Sequence, residues 1–129
     1  MENWEKKILI IEDEQHQREA LRTAFEKKGC TVEVALNGKD GLEKLRVFVP
    51  NIILLDLLMP VVDGFAFLEA IRNDESLKSI PVIILTNLAE RQRIALLMNP
   101  EKDFFFTKTN SALKDIISKA REVCSKTDC

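Results

Sequence analysis

Ile52-Ile53-Leu54-Leu55-Asp56-Leu57-Leu58-Met59-Pro60 is the stretch that decides the fold of this 129-residue chain. Four apolar residues run straight into a carboxylate, and a proline follows four positions later. An unbroken Ile/Leu run of that length reads as a strand buried on both faces, which calls for a parallel sheet covered by helices. In such sheets ligands bind beyond the carboxyl ends of the strands, and Asp56 stands at one of those ends. A lone Asp there can equally cap the following helix. Its meaning depends on what else arrives at the same edge.

Working outward, Ile8-Leu9-Ile10-Ile11 is a second all-apolar run and again ends in acid, Glu12-Asp13-Glu14. Gln15 to Lys28 carries Leu21, Ala24 and Phe25 at helical spacing, with Gly29 as a stop signal. Thr31 to Leu36 alternates, placing Val32, Val34 and Leu36 on one side, which predicts a strand with one wetter face at an edge of the sheet. Asn37-Gly38 reads as a turn before a short helix with Leu42 and Leu45. Beyond Asp56, Asp63-Gly64 reads as turn chemistry ahead of a helix over 65–73, whose Phe65, Leu68 and Ile71 share a face.

Pro81 to Thr86 is a third buried strand, with proline tolerated at its first position. Residues 89–98 are compatible with a helix of weak apolar stripe, ended by Asn99-Pro100. Asp103 to Thr107 is strand-like, although three consecutive phenylalanines also suit a loop. Ser111 to Cys124 is the clearest helix, with Leu113, Ile116, Ile117, Ala120 and Cys124 in an i, i+3, i+4 pattern. Five strands alternating with five helices predict an α/β domain, a doubly wound five-stranded parallel sheet in three αβα layers. Periodicity leaves the strand order open; the flavodoxin-like order 2-1-3-4-5 sets strands one, three and four side by side.

No repeat, low-complexity segment or linker divides residues 1–129, so a single domain is expected, with its core over 7–124 and a frayed tail over 125–129. A formal net charge of −2 gives no electrostatic case for direct binding to nucleic acid or to an anionic membrane. The apolar run at 8–11 is too short for a signal peptide or a membrane span. Three cysteines without a CxxC pair fit a reducing, cytoplasmic setting, with Cys30 packed as a small hydrophobe. His16 is the only histidine and no cysteine lies near it in sequence, which argues against zinc.

In a parallel sheet Glu12 and Asp13, Asp56, Thr86 and Lys108 all fall along one edge. Three acids brought close together repel unless a cation lies among them. Oxygen-only donors completed by water and phosphate suit Mg²⁺. A carboxylate beside Mg²⁺ can act as a ligand or as a nucleophile toward a phosphoryl group. Phosphoryl transfer asks mainly for positioning and charge neutralisation, which a metal, the Lys108 ammonium and the Thr86 hydroxyl can supply. Each residue also has a plainer reading. Glu12-Asp13 can be a solvated helix start, Thr86 the end of a β-branched strand, Lys108 a surface lysine and Phe104-Phe105-Phe106 core, with two of the three packed and Phe105 half-exposed.

Together, Glu12-Asp13, Asp56-Leu57-Leu58-Met59-Pro60 with Asp63-Gly64, Thr86, Phe105 and Lys108 resemble the receiver domain of two-component response regulators. The likeness covers about Lys7 to Cys124 and suggests a stand-alone, chemotaxis-type receiver; a receiver cut from a longer regulator would read the same. The resemblance implies that Asp56 accepts a phosphoryl group from a histidine kinase or histidine phosphotransferase. It implies Mg²⁺ held by Asp13, by Glu12 through water, by Asp56 and by the backbone carbonyl of Leu58. Thr86 and Lys108 would bind phosphoryl oxygens, with Phe105 following as an aromatic switch, and the signal would pass to a downstream protein partner. Apart from phosphotransfer to its own Asp56 and self-hydrolysis, no enzymatic activity is implied. The fourth predicted helix, fifth strand and fifth predicted helix form the face such domains use for homodimers and effectors.

Three departures stand out. Thr109 replaces the proline that usually follows the lysine, so a cis bond there would cost about 2.5–4 kcal/mol. Asn87 replaces a small residue after the switch threonine, and Glu101-Lys102 replace the usual Gly-Ala. A pseudo-receiver acting as a constitutive docking scaffold is therefore the alternative. A Mg²⁺-dependent aspartyl-phosphate phosphohydrolase would carry a second Asp where Leu58 stands. An FMN carrier would not place Glu12-Asp13-Glu14 in its phosphate loop.

Overall fold

All five expected strands form, as β1 (Lys7–Ile11), β2 (Thr31–Ala35), β3 (Ile52–Asp56), β4 (Val82–Thr86) and β5 (Asp103–Thr107). The computed structural model describes residues 3–56, 61–86, 103–107 and 113–127, with side chains at all of these except 61–63, 86, 103, 105–107 and 126–127. Every strand pair is parallel and the order is β2-β1-β3-β4-β5. The helices described are α1 (Gln15–Glu26), α2 (Gly38–Lys44), α3 (Val61–Arg72) and α4 (Leu113–Thr127). The helix expected over 89–98 lies outside the described residues.

Strand periodicity divides the core into two layers. Leu9, Ile11, Ile53, Leu55, Val82 and Ile84 pack with Phe67, Leu68 and Ile71 of α3 and with Leu45. Their neighbours Ile8, Ile10, Ile52, Leu54, Ile83 and Leu85 pack on the other face, against Leu21 and Phe25 of α1 and Ile116, Ile117, Ala120, Val123 and Cys124 of α4. Each such aliphatic side chain contributes about 1.5–3 kcal/mol of transfer free energy on burial. That two-sided demand is why β1 and β3 read as continuous apolar runs rather than alternating ones.

Helix α1 starts where Glu14, its N-cap, accepts the backbone N–H groups of His16 at 3.1 Å and Gln17 at 2.8 Å. Leu21 and Phe25, one turn apart, are its buried face. The chain then leaves the helix through Gly29 at φ 97°, a left-handed conformation in which an added Cβ would also collide with Asn3. Trp4, for which the sequence suggested no role, closes this end. Its N–H donates to the Lys28 carbonyl at 2.6 Å and its own carbonyl accepts the Cys30 thiol at 3.2 Å. Its ring lies 6.2 Å from that of Phe25 and under the Arg121 guanidinium at 5.1 Å. Cys30 is buried as expected, and burial pushes its thiol pKa up.

Several boundaries differ from the sequence reading. Asn37-Gly38 is the start of α2, with the Asn37 Oδ1 accepting the Asp40 N–H at 2.8 Å while Asp40 Oδ2 accepts the Leu36 N–H at 3.0 Å. Leu36 lies beyond the end of β2 and is 51% exposed, so only Val32 and Val34 form the apolar stripe. Asp63-Gly64 is within α3, which begins at Val61; its buried face holds Phe67 with Leu68 and Ile71, while Phe65 is half-buried. Helix α4 runs on to Thr127 through the segment expected to fray, and Leu113 at its start is half exposed. At β5, Phe104 is half-buried against the α1–α4 layer with the Lys119 ammonium 5.4 Å above its ring.

Candidate functional site

Three carboxylates meet at the carboxyl ends of the two central strands. Asp56 is the last residue of β3 and is 1% exposed, and Glu12, the first residue beyond β1, is 0% exposed. Asp13 beside it is open to solvent. One oxygen from each of Glu12, Asp13 and Asp56 lies within 4.8 Å of the others. Register produces this meeting. The β1–β3 ladder pairs Ile8 with Ile52 through Ile11 with Leu55, so the next step along both strands reaches Glu12 and Asp56. Both residues continue the parity of Ile10 and Leu54, which share one core layer.

Local hydrogen bonds hold the acidic turn. The Glu12 N–H donates to the Ala35 carbonyl at 3.1 Å, extending the β1–β2 ladder by one bond. The Glu12 Oε2 accepts the Glu14 N–H at 3.2 Å, and the Glu14 carboxylate turns away to cap α1. One turn into α1, Arg18 Nη1 reaches back to the carbonyls of Glu12 at 3.1 Å and Asp13 at 3.3 Å. The contributions of Glu14 and Arg18 were not foreseen; an acid just before a helix and a base one turn inside it are the only signals of them.

The remaining site residues of the sequence reading are partly in view. Thr86 is the last residue of β4 and pairs with Thr107, which places its backbone along the same edge one strand from Asp56. Phe105 of β5 pairs with Ile84 of β4. The side chains of Thr86 and Phe105, and all of Leu58, Asn87, Glu101, Lys102, Lys108 and Thr109, lie outside the described residues.

The acid cluster can be tested for a cation by its donor chemistry. Oxygens that bind one Mg²⁺ at about 2.0–2.1 Å lie at most roughly 4.2 Å apart. Carboxylate oxygens that all lie within 4.8 Å of one another are close enough to share a small hard cation, directly or through water. All donors are oxygen, which suits Mg²⁺ and not a thiophilic metal.

A doubly wound sheet with an acidic cluster at the ends of β1 and β3 defines a receiver-type α/β domain. The chain belongs to the response regulator receiver domain family, whose model matches residues 8–121. Protein PilG of Pseudomonas aeruginosa is 38% identical over 81 residues, covering 63% of this chain and 60% of PilG. The DNA-binding dual master transcriptional regulator RpaA of Synechocystis is 30% identical over 122 residues, 95% of this chain and 50% of RpaA. The chain thus spans 50–60% of the length of these two curated relatives. The signal receiver domain of a signal transduction histidine kinase from Syntrophus aciditrophicus superposes with a TM-score of 0.82 at 30% identity, covering 93% of this chain and 90% of that one. Chemotaxis response regulator CheY4 of Vibrio cholerae shares the fold, with a TM-score of 0.81 at 22% identity over 93% of this chain and 99% of that one.

Family membership makes the chain a receiver domain of two-component signalling, a class of signalling proteins that take phosphate from histidine kinases or phosphotransferases. Receiver domains bind Mg²⁺ at an acidic pocket, and Glu12, Asp13 and Asp56 form an acidic cluster that could hold a metal ion. Among the described residues, no helix is long and apolar enough to cross a membrane.

Proposed function

We propose that Asp56 is the phosphoacceptor of this receiver and that its donor is a phosphohistidine on a histidine kinase or histidine phosphotransferase. One observation carries the reading. A nearly inaccessible carboxylate ends the central strand with two further carboxylates in reach of the same small cation. In the transfer an Asp56 oxygen forms the new P–O bond as the P–N bond to the donor imidazole breaks. The imidazole nitrogen keeps the electron pair and takes up a proton.

Glu12, Asp13, Asp56 and the backbone carbonyl of Leu58 would hold Mg²⁺, which when bound neutralises charge on the phosphoryl oxygens. Thr86, at the end of the adjacent strand, would donate its hydroxyl to a phosphoryl oxygen, Lys108 would pair with another, and Phe105 would move with Thr86. The phosphoryl group would carry about −1.5 to −2 where the Asp56 carboxylate carried one charge, a net gain of about one. That gain would bias the edge of the domain toward a second arrangement, read by a downstream protein or by a second copy of the chain. Residues 1–129 are taken as one such domain, in a cytoplasmic setting.

The test is intact mass after incubation with acetyl phosphate and Mg²⁺. A single added phosphoryl group, lost in Asp56→Asn and lost with EDTA, is expected. No adduct with either acetyl phosphate or a phosphorylated kinase would overturn the reading in favour of a constitutive docking scaffold.

A further inference from the structure

We infer that Arg18 is a positioning residue for the acidic site, acting on the backbone that carries Glu12 and Asp13. Arg18 is half-buried on the first turn of α1, and its own N–H donates to the Glu14 carbonyl at 2.9 Å, which fixes its base. From there a single nitrogen, Nη1, spreads its two hydrogens over the consecutive carbonyls of Glu12 and Asp13 at 3.1 and 3.3 Å. Bonds from a charged donor are stronger than those between neutral groups. Two of them to adjacent carbonyls fix the rotation of the peptide planes between Glu12 and Glu14. That rotation decides where the two side chains point. The Glu14 N–H bond to Glu12 Oε2 closes the same turn from the other side.

The inference rests on the proposed reading of the site, and the geometry separates it from a plain electrostatic role. A guanidinium this close to the cluster repels a divalent cation. If Arg18 contributed charge alone, removing it would tighten Mg²⁺ binding. If Arg18 orients the turn, removing it weakens binding in spite of the charge lost. Outer-shell partners of metal ligands typically change affinity by about 10–100-fold when removed. The two roles differ in sign.

The experiment is Mg²⁺ titration of the full chain by calorimetry, read alongside the amide NMR signals of Glu12, Asp13 and Glu14. Arg18→Met is expected to lower Mg²⁺ affinity about tenfold and to broaden or shift those three amides in the metal-free protein. Arg18→Lys, which keeps the charge and can reach one carbonyl, is expected to restore part of the affinity and serves if Arg18→Met does not fold. Affinity that is unchanged or increased in both variants would overturn the positioning role while leaving the Asp56 reading intact. Wild-type protein that neither binds Mg²⁺ nor takes up phosphate would overturn both.

Discussion

Asn51 and Lys7 are joined by two hydrogen bonds at the foot of the central strands. The Asn51 N–H donates to the Lys7 carbonyl at 2.8 Å, and Asn51 Oδ1 accepts the Lys7 N–H at 2.8 Å. This pair starts the β1–β3 ladder that, five residues on, brings Glu12 beside Asp56. Asn51→Ala removes one bond at a partly wet position and is expected to cost about 1 kcal/mol. Urea unfolding of the metal-free protein measures it, and an unchanged midpoint would mean that the side-chain bond adds nothing to the ladder.

Gly41 on α2 has no room for a side chain. A Cβ there would lie 2.7 Å from Cδ1 of the buried Ile11 and 3.1 Å from Cε1 of Phe67. Gly41→Ala gains up to about 1 kcal/mol in helix propensity, but overpacking costs about 1–3 kcal/mol, so net destabilisation is expected. Ile11→Val deletes the offending methyl. It should cost about 0.5–1.5 kcal/mol alone and less in the Gly41→Ala background. Strict additivity in a double-mutant cycle would show that the clash is relieved elsewhere.

Asp74 titrates below the usual carboxylate range because the Ser76 hydroxyl and then the Ser76 N–H donate to it, at 2.6 and 2.8 Å. A depressed folded-state pKa favours the ionised form. The turn after α3 therefore gains from Asp74 above its unfolded value and loses that gain as pH falls through the folded one. Ser76→Ala should move the Asp74 carboxyl titration up, toward the ordinary value of about 3.9. Carboxyl carbon NMR reads this directly, and coincident titration curves for the two proteins would contradict it.

Asp13→Ala sets binding against stability. Removing one of three converging acids should lower Mg²⁺ affinity at least about tenfold, and with it the stabilisation that Mg²⁺ gives the folded state. In EDTA the same substitution relieves like-charge repulsion, so the urea midpoint should rise. A fall in EDTA would indicate that Asp13 is held by favourable contacts rather than strained by its neighbours.

The sheet was legible because Ile8–Ile11 and Ile52–Leu55 are apolar at every position, a pattern that only a strand covered on both faces requires. Parallel topology sends the strand ends carrying Glu12, Asp13 and Asp56 to one edge, but their meeting also needs β1 beside β3, an order that periodicity leaves open. Asp63-Gly64 misled because turn chemistry is a short-range preference. Burying Phe67, Leu68 and Ile71 on a helix that begins at Val61 outweighs it. Leu36 misled because alternation continues in the sequence one residue past the point where β2 stops pairing. Arg18 was not legible: a side chain that bonds backbone carbonyls places no constraint on which residue types it meets.

Strand β3 is buried at all five positions, with α1 and α4 against one face and α2 and α3 against the other. Such a strand cannot move aside without opening both hydrophobic layers at once. Asp56 therefore stands on an anvil. If Asp56 is the phosphoacceptor proposed above, charge added to it would meet an unyielding seat from below, and whatever mechanical work that charge performed would be delivered outward along the sheet's upper rim.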